Sequence, residues 1–140
     1  MEEKEKYKLK LITLNNAING FSSLMEKDIT LFDEVISDGL MNGRIQKFEY
    51  CSELLWKTAK KFLWIYDGID AKSPKSTMKE LFLANYLTED EYEILFEMIN
   101  DRNRLSHIYK EDYFLEIHEK LKDYLIIIKK TAMVISTSSY

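Results

Sequence analysis

Only four glycines and one proline punctuate this chain of 140 residues, and that scarcity constrains its fold more than any other feature. Tight hairpin turns need residues that reach positive φ cheaply or that preset φ, and a sheet protein of this length would need many. Helices joined by a few connections are the class that remains. The length suits one domain able to bury about two-thirds of its unfolded surface.

Apolar side chains recur at helical spacing along most of the chain. Leu11, Leu14, Ile18, Phe21 and Met25 mark a first helix over about 4–25. Asp28 is an N-cap candidate for a short segment through Ile36, which Asp38-Gly39 should end. A long second helix is expected over about 45–66, with Phe48, Cys51, Leu55, Thr58, Phe62 and Tyr66 on one stripe. Leu54, Trp56, Ala59 and Leu63 widen that stripe, as in a helix covered on two sides. Gly68 and Asp70-Ala71-Lys72 break it. Ser73-Pro74 pairs an N-cap with proline at the first helical position and opens a third helix to about Asn85. Thr88-Glu89-Asp90-Glu91 is a capping box for a fourth. A fifth starts near Asp112 and turns Phe114, Ile117, Leu121, Tyr124, Leu125 and Ile128 inward. The expected architecture is all-α: an antiparallel, up-and-down four-helix bundle with one extra short helix. It forms a single domain over 1–140, of which 136–140 is a flexible polar tail.

Charge and cysteine usage narrow the setting. A net charge of −4 and a pI near 5.3 argue against a protein that coats nucleic acid generally, although a local basic cleft is compatible with them. The lone cysteine, Cys51, has no partner for an intrachain disulfide and reads as a small buried hydrophobe in a reducing cytosol. The charged start MEEKEKYKLK has no apolar core of a signal peptide. The most apolar run, Tyr124 to Ile128, is too short to span a bilayer. A cytoplasmic, membrane-free protein is the expectation.

The fourth helix carries an anomaly. Advancing each residue by about 100° from Arg102 places Tyr92, Leu95, Phe96, Met98, Ile99 and Leu105 on one arc. Glu93, Glu97, Asn100, Asp101 and Arg104 fall on the opposite arc, which should face water. Yet Arg102, Asn103, His107 and Tyr109 continue the apolar side. Burying an unpaired arginine costs several kcal/mol, so about that much must be recovered through partners or a cleft. The chain holds only three arginines and two histidines, and one of each meets here. Arginine offers a planar charge suited to phosphate oxygens. Histidine can move a proton near neutrality, asparagine can orient either, and tyrosine can accept a transferred group. Such a set can bind a nucleotide, or cleave RNA by acid–base chemistry without a metal.

Other candidates are softer. Lys57, Lys60 and Lys61 form a basic strip that either lies on a solvated face or guides a phosphate backbone. Glu49 and Glu53 are placed to pair with Arg102 or with those lysines. Trp56 reads as core more readily than as a ligand platform. His118, beside Glu116 and Glu119, reads as a solvated-face histidine. Absences count as well. The chain has no Gly-Ser loop and no Asp-x-Asp pair, so it lacks the means to hold metal and triphosphate for nucleotidyl transfer. No Glu-x-x-His pair marks a di-iron bundle. No metal and no cofactor are expected.

The Arg-x4-His spacing over Arg102–His107, with Asn103 and the His-x-Tyr ending at Tyr109, resembles the signature of HEPN domains. The run Arg44 to Lys57 resembles the second helix of the nucleotidyltransferase substrate-binding branch, as does Ser73-Pro-Lys-Ser76. The resemblance covers about residues 36–112. It implies a homodimeric bundle in which Arg102, Asn103 and His107 of both copies face one cleft; Glu53, Lys57 and Asp101 are supporting candidates on their own chemistry. It also implies a separately encoded minimal nucleotidyltransferase as partner, and nucleotide (an ATP or AMP moiety) or RNA as ligand. Two functional readings follow. In one the chain is the substrate-binding partner subunit and presents Tyr109 for AMP transfer. In the other it is a metal-independent ribonuclease toxin that acts through Arg102 and His107 and is neutralised by the transferase.

Overall fold

A computed structural model describes residues 2–107 and 110–139, without the side chains of His107 and Lys110. Five α-helices appear among the described residues: α1 (Glu3–Met25), α2 (Glu34–Phe62), α3 (Pro74–Leu83), α4 (Glu89–His107) and α5 (Lys110–Thr137). A 3-10 turn (Ile29–Leu31) precedes α2, and a π-helical turn (Leu63–Asp67) extends it. The all-helical bundle expected from the punctuation is present.

Local chemistry explains most of the boundaries. Asp28 accepts from the Thr30 amide at 3.0 Å and starts the 3-10 turn. Asp33 caps α2 through the Ile36 amide at 2.9 Å. Ser73 and Ser76 form a reciprocal capping box with Pro74 at the first helical position. Thr88 and Glu91 do the same for α4: the Thr88 amide donates to Glu91 at 2.8 Å and the Glu91 amide to Thr88 at 3.2 Å. Gly68 ends the π turn at φ 66°, a left-handed conformation that costs a residue with a Cβ about 1 kcal/mol.

Two sequence expectations fail at the start of α2. The helix begins at Glu34, about three turns before Ile45, and Asp38-Gly39 lies inside it rather than ending it. Gly39 has open space around its Cα, so it merely weakens the helix there by about 1 kcal/mol. The Asp33 cap and the run that follows outweigh it.

Pairings across the bundle give the topology. Lys61 of α2 meets Glu3 of α1, and Arg44 of α2 reaches the end of α1, so α1 and α2 are antiparallel. Arg104 pairs with Glu116 and Glu97 with Lys120, which makes α4 and α5 antiparallel. Arg44 approaches His118 and Phe48 stacks on Tyr124, so α2 and α5 run parallel. These two form the middle of the bundle, with α1 on one flank and α4 on the other. Phe48, Cys51, Leu55 and Phe62 of α2 are wholly buried, as are Ile117, Leu121 and Ile128 of α5. An aromatic cluster closes one end: the Tyr7, Phe62 and Tyr86 rings pack in sequence, 6.1 and 5.1 Å apart between centroids. Cys51 is wholly buried, and that burial pushes its thiol up to about 12. Among the described residues, no helix is long and apolar enough to cross a membrane.

His118 departs from its expected place on a solvated face. It is half-buried, stacked against Phe114 and 3.5 Å from the Arg44 guanidinium. Burial first, and then the Arg44 charge, lower its pKa below the usual histidine value. Arginine carries no acceptor, so a hydrogen bond at this contact needs the histidine nitrogen as acceptor and favours the neutral ring.

Candidate functional site

The last two turns of α4 carry Arg102, Asn103 and Ser106. Leu95, Met98, Ile99 and Leu105 anchor the helix on the core, and Arg102 lies within the arc they span. It is half-buried. Its guanidinium folds back along the helix onto the Ser106 hydroxyl, one turn ahead. Asn103 is exposed beside it. The side chains of His107 and Tyr109, the other members of the sequence motif, lie outside the described residues.

From α2, Glu53 comes close enough for the Arg102 charge to act on it. Glu53 also accepts from Lys57 at 3.0 Å and from the Trp56 indole N–H at 3.2 Å. Burial alone would raise its pKa. The Lys57 and Trp56 hydrogen bonds, with the charges of Lys57 and Arg102, outweigh burial and hold it below the usual carboxylate value. Glu53 is therefore an anion at neutral pH, held by two partners on α2 itself and within reach of the Arg102 charge. The structure thus brings Arg102, Glu53 and Lys57 into one neighbourhood.

Asp101 is elsewhere. The helical wheel of α4 puts it on the water-facing arc, but it is only 2% exposed. It accepts from the Tyr124 hydroxyl, from Lys120 at 3.2 Å and from Arg104 at 3.0 Å, and all of these lie on the α5 side. Arg104 continues outward to Glu116 at 3.0 Å and sits 3.7 Å from the Tyr113 ring centroid. Asp101 fastens α4 to α5 and is not brought to Arg102. A carboxylate that α5 covers reads as solvent-facing when α4 is considered alone.

Two further residues have roles that the spacing around Arg102 does not reveal. Arg44 is only 7% exposed and donates to the carbonyls of Leu24, Met25 and Lys27 at the end of α1, serving as its C-terminal cap. Trp64 stands exposed on the π turn, in the same groove as Trp56 and the lysine strip. Its spacing of eight from Trp56 could have flagged it, since that is little more than two helical turns. No cluster of histidine, cysteine and carboxylate suited to a metal ion occurs among the described residues.

An all-helical bundle with Arg102 and Asn103 near the end of its fourth helix is the structural class. The family described as nucleotidyltransferase substrate binding protein like matches residues 9–135, and the chain belongs to that family. A protein of Thermus thermophilus aligns with TM-score 0.75 and 22% identity, over 87% of this chain and 98% of that one. A chain from a mutant MntA–HpeT toxin–antitoxin structure aligns with TM-score 0.69 and 18% identity, over 94% and 97%. A chain from a toxin–antitoxin structure with AMP-PNP gives 0.68 and 15%, over 93% and 95%. At these identities the likeness is one of fold. Among curated proteins no match is found.

Proposed function

We propose that this chain is the substrate-binding partner subunit of a separately encoded minimal nucleotidyltransferase. The observation that carries the reading is the family match over residues 9–135, in a chain without the Gly-Ser loop and Asp-x-Asp pair of a transferase. In this reading the transferase holds ATP and its metal. The present chain supplies the end of α4, where Arg102 steadies phosphate oxygens and Asn103 orients the bound group. Tyr109 is the acceptor: its phenolic oxygen bonds to the α-phosphorus of ATP, the bond to the β-phosphate breaks, pyrophosphate leaves and the phenolic proton passes to solvent or a base. Two copies pair through their α4 ends, so that each cleft holds two Arg102 side chains.

Co-expression with a minimal nucleotidyltransferase encoded in the same genome tests this. The two proteins should co-purify, and intact mass should show one AMP added to wild type and none to Tyr109→Phe. Independent elution and an unmodified mass with the active transferase would refute the reading.

A second reading rests on the Arg102-x4-His107 spacing and on the toxin–antitoxin structures among its structural relatives. Here the dimer cleaves RNA without metal, His107 moving the proton and Arg102 stabilising charge at phosphorus. Induced alone, it should then arrest growth, and Arg102→Ala or His107→Ala should relieve the arrest. RNA left intact by the pure protein in EDTA would exclude it.

A further inference from the structure

Both tryptophans of the chain line one groove, beside α1 and along the last turns of α2 and the π turn that extends it. Trp56 and Trp64 share it with Lys10, Lys57, Lys60 and Lys61, and it encloses about 440 Å³. Its remaining lining is Glu3 and Asp70, so four cations face two anions in a chain whose overall charge is −4.

Helical geometry gathers this set. Relative to Lys57, Trp64 lies about 20° to one side with Lys60 at about 60° and Trp56 at about 100°, while Lys61 lies about 40° the other way. The buried residues Leu55, Thr58, Ala59 and Phe62 occupy the opposite face. Trp64 is 54% exposed, an unfavourable position for a side chain able to bury about 150–250 Å². It also stands on the π turn, an interruption that occurs frequently at functional sites.

The lysines are held in place by replaceable partners. Lys57 pairs with Glu53 at 3.0 Å, Lys60 with Asp70 at 3.4 Å, and Lys61 with Glu3. The three carboxylate side chains are 40%, 51% and 50% exposed. Ion pairs this open are weak because water screens them, so a phosphate can take over the lysines with little loss.

We propose that this groove is a nucleotide-binding site, in which the indoles of Trp56 and Trp64 take a nucleobase while Lys10, Lys57 and Lys61 hold its phosphate. Aromatic planes beside cations recognise a base joined to phosphate, because stacking and charge act on adjacent parts of one ligand. A plain phosphate would leave the indoles unused, and a plain apolar ligand would strand the lysines. The volume lies within the range of small-ligand sites, roughly 300–1,000 Å³. The proposal goes beyond the function above, since it needs neither Arg102 nor Tyr109.

Tryptophan emission reports occupancy directly, because both indoles lie in the groove. The full chain is titrated with ATP, AMP, adenosine, inorganic tripolyphosphate and a short oligouridylate. Saturable quenching by ATP is expected, with tripolyphosphate competing but quenching less. Losing two charge-assisted contacts in Lys57→Gln/Lys61→Gln should weaken ATP binding about tenfold or more, whereas Lys122→Gln on the exposed side of α5 should not. Circular dichroism and a thermal melt check that the double variant folds. Trp64→Phe, which keeps every charge, should also weaken binding when read by calorimetry. Tighter binding of oligouridylate than of ATP assigns the same chemistry to an RNA strand, and the reverse order to a free nucleotide. No saturable response to any nucleotide, or a full response in the double variant, would overturn the proposal.

Discussion

Replacing Arg44 with methionine keeps an unbranched stem in the core and removes only the guanidinium. In the wild type that group donates to Lys27 O at 2.7 Å, and to Met25 O and Leu24 O at 3.4 Å each. The first is a short, charge-assisted bond of the stronger kind, and the two long ones add little. Leu24 O keeps a second donor, the Lys27 amide at 3.3 Å, so the carbonyls of Met25 and Lys27 lose most. Relief of the desolvation of a group only 7% exposed offsets part of the loss. The net cost should be about 2–3 kcal/mol, or a fall in melting temperature of roughly 6–12 °C for a chain of this size. Urea unfolding followed by circular dichroism measures it. The same substitution should raise the pKa of His118, since one of its two lowering causes disappears while burial remains. An NMR titration of the His118 ring, assigned with the help of His107→Gln, reads this shift. The sign for stability follows. The folded pKa of His118 is depressed, so the unfolded chain takes up the proton first as pH falls. This contribution is complete above about pH 6.5 and is lost as pH drops through the folded value. Arg44→Met should flatten that dependence. A loss below about 0.5 kcal/mol, together with an unmoved His118 titration, would refute the capping argument.

Three further outcomes are expected. Tyr124→Phe removes the hydroxyl bonded to buried Asp101 and should cost about 1.5–3 kcal/mol in denaturant melts; an unchanged midpoint would show that Lys120 and Arg104 satisfy Asp101 alone. Gly68→Ala should cost about 1 kcal/mol because its φ of 66° disfavours a Cβ, and an equally stable variant would mean that the π turn can end otherwise. Cys51, its thiol pushed up to about 12 by burial, should resist a thiol reagent at pH 8 in the native state and react on unfolding in urea; rapid native labelling would contradict its burial.

The elements legible in the sequence are those governed by neighbours within a turn or two. The caps at Asp28, Ser73 and Thr88 rest on side-chain to backbone bonds spanning two or three residues. The stripes of α1, α2 and α5 rest on a period every helix obeys. The same periodicity placed Arg102 on the apolar arc of α4, where its side chain is half-buried and meets the Ser106 hydroxyl at the surface. The Arg44–Lys57 and Arg102–Tyr109 runs carried enough pattern to point to the family that the chain matches.

Tertiary packing decided what lies on the flank of each helix. Asp101 looks wet on the wheel of α4 and is dry because Tyr124 and Lys120 of α5 cover it. His118 looks like a surface residue of α5 until Arg44 of α2, far away in sequence, arrives beside it. Glu53 of α2 feels the Arg102 charge only because packing brings the two helices together. A sequence specifies which arc of a helix is apolar. Which neighbour covers the margins of that arc depends on how helices pack against one another, and at those margins buried charges are either paired or left facing a ligand.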